Sequence, residues 1–149
     1  MAFETNYVEN EILSLNNDEL ISFIYRGLLD YLEKIKKSIE QNNPSEKINW
    51  INKAIDVISY LRSILDYDKG GVISKNLNNL YLFSIKELTD SNFSNDITKI
   101  ISVENIFKEL LSAWNEMIKK KKGEYLKNSD QNEINFSDNL REKRVEIYG

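Results

Sequence analysis

Leu65-Asp66-Tyr67-Asp68-Lys69-Gly70-Gly71-Val72-Ile73-Ser74-Lys75-Asn76-Leu77-Asn78-Asn79-Leu80-Tyr81 holds the only adjacent glycines in the chain. It lies between two segments whose apolar residues recur at helical spacing. The stretch reads as one helix ending, a glycine turn, and another helix starting, because paired glycines supply conformations that a helix interior disfavours. The same period continues on both sides. With one Pro and five Gly in 149 residues, little interrupts it, which predicts long helices rather than short strands joined by turns.

Upstream, a helix is predicted from about residue 45 to 67. Pro44 follows Asn42-Asn43, and proline is tolerated at a helix start but not inside one. Asn49, Asn52, Asp56, Ser59 and Ser63 align on one narrow stripe of this helix, while Trp50, Ile51, Ala54, Ile55, Val57, Ile58, Tyr60, Leu61 and Ile64 occupy most of the rest. An ordinary surface helix carries an apolar arc a little over about 100° wide; this one is about twice that. Such a helix is either central in its bundle or presents a second apolar face to a partner. The preceding helix begins near Asn17, with Asn16 as N-cap and Glu19 completing a capping-box-like pattern. Leu20, Ile24, Tyr25, Leu28, Tyr31, Leu32 and Ile35 share its apolar half, Arg26, Asp30, Glu33, Lys34 and Lys37 the other, and Phe23 falls off the apolar side. Gly27 inside this helix costs about 1 kcal/mol against Ala, which predicts close approach of a neighbouring helix.

Downstream of the glycines, Ile73, Leu77, Leu80, Tyr81, Ile85 and Leu88 form the core stripe of a third helix, with Leu82 and Phe83 away from it. A turn at residues 91–96 precedes a fourth helix over about residues 96–121. Its stripe comprises Ile100, Val103, Ile106, Phe107, Leu110, Leu111, Trp114, Met117 and Ile118. Three parts are therefore expected: an N-terminal arm over residues 1–16, a bundle over 17–121 and a polar tail over 122–149. The arm's Phe3, Tyr7, Val8, Ile12 and Leu13 suit a segment that docks reversibly on the bundle. The tail's composition points to disorder, with at most a weak helix near 138–146. The fold class is all-α, an antiparallel up-down four-helix bundle with an N-terminal arm and a polar C-terminal tail.

Composition narrows the function. The chain is 41% hydrophobic and 30% charged, with a net charge of −4. A mildly acidic chain lacks the cationic surface that nucleic-acid binding needs. It contains no Cys and no His, so thiol chemistry is excluded and the commonest general base and metal ligand are missing. No catalytic, cofactor or metal residues are assigned, and the chain is read as a non-enzyme. No apolar run approaches the roughly 20 residues of a bilayer-spanning helix, and the N-terminus has no signal-peptide pattern. Membrane insertion is not expected, and the location is read as cytoplasmic. Four helices enclose one core, and Trp50, Val57, Tyr60, Ile64, Leu82 and Phe83 are hard to place in it together. These six are the candidate partner-binding residues, as a helix-binding groove. The other covers for the same surface are the arm and a second copy of the chain, so the expected state is a monomer or weak homodimer.

Several segments, in order, resemble the flagellin export chaperone family. Tyr7 precedes Ser14-Leu15-Asn16-Asn17-Asp18-Glu19-Leu20, similar to the family's cap. Phe23-Ile24-Tyr25-Arg26-Gly27 and Lys53-Ala54-Ile55-Asp56-Val57-Ile58 follow. The Gly-Gly to Asn-Leu to Leu-Tyr block comes next, then residues 92–96 and Ala113-Trp114. Leu15 and Asn17 depart from the family's Ala and Pro, and Leu82 and Ser84 from its usual residues. The resemblance implies a small four-helix chaperone that binds the C-terminal segment of flagellin, prevents its premature polymerisation and delivers it to the flagellar type III export gate. Tyr7 matches the family's N-terminal Tyr, linked to covering the bundle and contacting the gate. The alternative is a helical regulatory adaptor of the export system with a non-flagellin client.

Overall fold

The structure, a computed structural model, describes residues 17–147, with side chains as far as Lys127 apart from Tyr125. Four helices follow one another: α1 (Asn17–Glu40), α2 (Pro44–Ser63), α3 (Tyr67–Ser91) and α4 (Ile97–Ile147). No strand occurs among the described residues. The connections span only residues 41–43, 64–66 and 92–96, and links this short join antiparallel neighbours. The result is the all-α four-helix bundle that the periodicity predicts. The expected arm, with Tyr7 and the Asn16 cap, lies outside the described residues. The chain divides after Ala113 into two compact units; the bundle core described below belongs to the first.

That core is closed by large side chains from every helix. Tyr25, Leu28, Leu32 and Ile35 of α1, Ile51 and Ile58 of α2, Leu88 of α3 and Ile100, Val103 and Phe107 of α4 are fully buried. Each such side chain contributes about 1.5–3 kcal/mol by leaving water. At the centre, the Phe107 ring meets Tyr25 edge-on, with centroids 5.7 Å apart, and stacks parallel to Tyr81 at 6.0 Å. The Tyr25 and Tyr81 hydroxyls lie 2.6 Å apart, which satisfies two polar groups that would otherwise be costly to bury. The polar stripe of α2, Asn49, Asn52, Asp56, Ser59 and Ser63, is exposed throughout. So are Arg26, Asp30, Glu33, Lys34 and Lys37 of α1.

The corner between α2 and α3 differs from its sequence reading. α2 ends at Ser63, not near Tyr67, and α3 begins at Tyr67, before the glycines. Asp66 decides this: its backbone is extended, and its carboxylate accepts from the N–H groups of Asp68 and Lys69, which makes it the N-cap of α3. The glycines then kink the first turns of α3. Gly71 takes φ +50°, which L side chains rarely adopt. A Cβ on Gly70 would overlap the Ser74 hydroxyl, which donates to the Asp66 carbonyl at 2.8 Å.

After the kink, the buried register of α3 is Ser74, Leu77, Tyr81, Ser84, Leu88 and Ser91. Ile73, placed in the core stripe by periodicity, is 68% exposed. It precedes Ser74 by one residue and so points about 100° away. Buried serines replace large residues on this face because each can return its hydroxyl proton to its own helix. Ser84 donates to Leu80 O and Ser91 to Glu87 O, both at 2.8 Å.

Polar ties fix the remaining packing. Lys36 of α1 bridges Glu33 and the buried Glu104 of α4 at 3.0 and 2.9 Å. The two carboxylates beside it hold the Lys36 ammonium above its ordinary range. Lys47, buried near the start of α2, donates to Ser94 O and Asn95 Oδ1 and pins the α3–α4 loop. Beyond Lys121, where composition points to disorder, α4 continues as helical backbone to Ile147. No proline occurs there to stop it. No helix among the described residues is long and apolar enough to cross a membrane.

Candidate functional site

α1 carries a second stripe beside its core face. Leu20, Phe23, Ile24, Gly27 and Tyr31 recur at spacings of three and four, so they line up along one edge of the helix. α2 presents a matching edge of Lys53, Asp56, Val57 and Tyr60. The two edges face each other across an open groove of about 470 Å³, with Leu28 also in its wall. Its lining is apolar and aromatic except for Lys53 and Asp56.

Gly27 gives the groove its depth. The sequence predicted close helix approach at this glycine, but a Cβ built there would meet nothing within 4 Å. Among the described residues, no neighbouring helix comes within van der Waals contact of that position, so the missing side chain leaves space in the groove wall.

One end of the groove is organised around Trp50. Its ring lies 5.3 Å from the Tyr31 ring, and its indole N–H donates to Glu46 Oε2 at 2.9 Å. The Lys34 and Lys53 ammonium groups stand over the indole, 4.2 and 4.4 Å from its centroid, within cation–π range. Burial pushes the Tyr31 hydroxyl above its ordinary pKa, so this end presents a neutral phenol, two cations and one carboxylate.

The structure brings together some of the candidate partner-binding residues and separates others. Val57 and Tyr60 line the groove, and Trp50 touches it through Tyr31 and Lys53. Ile64, at the end of α2, is 43% exposed and lies outside the lining. Leu82 and Phe83 are 42% and 43% exposed on α3 and are also outside it. Tyr7 is outside the described residues. The α1 edge escaped the sequence reading, which assigned Leu20 and Ile24 to the core; Tyr31, assigned there too, is buried and also borders the groove. The available signal was Phe23, off the apolar side and one turn from Gly27, which together marked a second lane along the helix.

The profile of the family described as flagellar protein FliS matches residues 1–121. Similar proteins include the flagellar secretion chaperone FliS of Vibrio cholerae, 30% identical over 116 residues covering 78% of this chain and 85% of that protein. FliSB of Pseudomonas aeruginosa, also named a flagellar secretion chaperone, is 33% identical over 107 residues, 72% and 85% of the two chains. The Salmonella typhimurium flagellar secretion chaperone FliS is 32% identical over 117 residues, 78% and 87% of the two chains. With a profile match that spans the first three helices and the first half of α4, the chain belongs to the flagellar protein FliS family.

Proposed function

We propose that this chain is a cytoplasmic, non-catalytic flagellar export chaperone that binds the C-terminal region of flagellin, holds it from polymerising and delivers it to the flagellar type III export apparatus. The observation that carries the reading is the apolar groove between α1 and α2, open along one side of a bundle whose core is already complete without it. A disordered client segment gains by folding there as an amphipathic helix: its apolar face leaves water, and its polymerising surface is masked. Similarity to proteins named flagellar secretion chaperones supports a secreted flagellar client. Tyr7 is the position proposed to meet the export gate.

The test is a titration of the full chain with the last ~50 residues of flagellin from the same organism, long enough for two or three helices. Stoichiometric binding with gained helicity and a negative heat-capacity change supports the proposal. A folded chain that leaves the segment unbound overturns it in favour of an adaptor with a non-flagellin client.

A further inference from the structure

We propose that the α1–α2 groove is directional: it accepts an amphipathic client helix whose C-terminal end carries carboxylates, seated against Lys34 and Lys53. The inference rests on the chaperone reading above and specifies the chemistry of the segment received.

The groove is electrostatically lopsided. At the Trp50 end, two ammonium groups stand 4.2 and 4.4 Å from the centroid of one indole ring. Neither forms an ion pair among the described residues, whose bridges involve Lys36, Lys99 and Lys108. Glu46, bonded to the indole N–H, is the one carboxylate tied to this cluster among the described residues, so cations outnumber it there. Among the described residues, the opposite end is built from Leu20, Phe23, Ile24 and Tyr60, with no cation in the lining; the one lining carboxylate, Asp56, lies a turn beyond Lys53 on that side.

A helix carries partial negative charge at its C-terminus and partial positive charge at its N-terminus. A client helix therefore sits better with its C-terminal end at Lys34 and Lys53, parallel to α1 and antiparallel to α2. Carboxylates in its last turn add direct pairing to lysines already positioned by the indole. The lane from Leu20 to Lys34 on α1 is about 21 Å long at 1.5 Å per residue, so it fits a client helix of about four turns.

Two synthetic amphipathic peptides of about 18 residues test this. They share one apolar stripe and one net charge, with three glutamates in the last turn of one and the first turn of the other. Intrinsic helix stability favours the second peptide, so a preference for the first must come from the groove. Fluorescence anisotropy with the full chain at low ionic strength is expected to show about tenfold tighter binding of the peptide with C-terminal glutamates. The preference should shrink in about 0.5 M salt and reverse in the double variant Lys34→Glu/Lys53→Glu, with circular dichroism confirming the fold. Equal affinity for both peptides overturns directionality and leaves the groove as a helix site. Binding of neither overturns both readings. Peptide binding lost through self-association at higher protein concentration assigns the groove to a second copy and overturns the proposal.

Discussion

The Tyr25–Tyr81–Phe107 cluster and the Leu20–Tyr60 groove use the same materials, aromatic and aliphatic side chains at helical spacing, yet one is sealed and the other open. α1 contributes to both. Tyr25, Leu28 and Leu32 turn into the core and are fully buried, whereas Leu20, Phe23, Ile24 and Gly27, on an adjacent edge, are only partly covered. The difference is what stands opposite. The core edge meets α4 through the Tyr25 and Phe107 rings, 5.7 Å apart, and α3 through the Tyr25–Tyr81 hydroxyl contact. Across the groove, the other edge faces Lys53, Asp56, Val57 and Tyr60 of α2, and Gly27 withholds the side chain that would narrow the gap. Apolar content therefore measures how much surface seeks cover, and the arrangement of neighbouring helices settles which part receives it.

Substitutions in the two regions should separate stability from binding. Phe107→Ala empties the centre of the core and is expected to destabilise the bundle by about 3–5 kcal/mol, read as a lower urea midpoint by circular dichroism. Val57→Glu, on the half-exposed groove wall, should shift that midpoint by under about 1 kcal/mol while weakening client binding at least about tenfold, since a carboxylate would be buried against an apolar helix face. If Val57→Glu unfolded the bundle as severely as Phe107→Ala, the distinction between core and groove would collapse.

The hydroxyl pair sharpens the core side. Tyr25→Phe removes one half of the 2.6 Å contact with Tyr81 and is expected to cost about 1–2 kcal/mol. The double variant Tyr25→Phe/Tyr81→Phe should cost less than the sum of the singles, because the two hydroxyls satisfy each other. Strict additivity in that cycle would show that the contact carries no coupling.

The same pair predicts an alkaline limit. Burial, reinforced by Tyr81, raises the Tyr25 hydroxyl well above the ordinary range, and burial also raises Tyr81 against the opposing effect of its hydrogen bond with Tyr25. A raised folded-state pKa favours the protonated native form. The associated stability is complete below about pH 10, where the unfolded tyrosines are also neutral. It is lost at up to about 1.4 kcal/mol per pH unit per tyrosine as pH climbs from there towards the folded values. Urea unfolding between about pH 9 and 11.5 should show this fall, with a shallower slope in Tyr25→Phe. An unchanged slope would locate the alkaline sensitivity elsewhere.

The smallest expected effect lies in the groove wall. Gly27→Ala adds a methyl where nothing lies within 4 Å, so it should raise stability by about 0.5–1 kcal/mol through helix propensity alone. Gly27→Leu should keep the fold but weaken client binding by filling the space. Destabilisation by Gly27→Ala would mean that helix packing, not an open groove, explains the glycine.

Much of this molecule is legible in its sequence because a helix is a local object. A 3.6-residue period tells which side of each helix is apolar, and it correctly placed the solvent stripe of α2 and the charged face of α1. Pro44 marked the start of α2, and the ordered motifs from Phe23-Ile24-Tyr25-Arg26-Gly27 through Gly70-Gly71 to Ala113-Trp114 carried the family. The groove was half legible: Val57 and Tyr60 stood out as surplus on α2, whereas Leu20 and Ile24 passed for core. The period fixes angles around a helix's own axis and says nothing of the neighbour on each side. Only the packed structure therefore decided that one edge of α1 stays open, that Gly27 faces space, that serines fill the inner face of α3, and that the Gly71 kink turns Ile73 outward. Each of these depends on contacts between helices distant in sequence, set by crossing geometry and capping rather than by local preference.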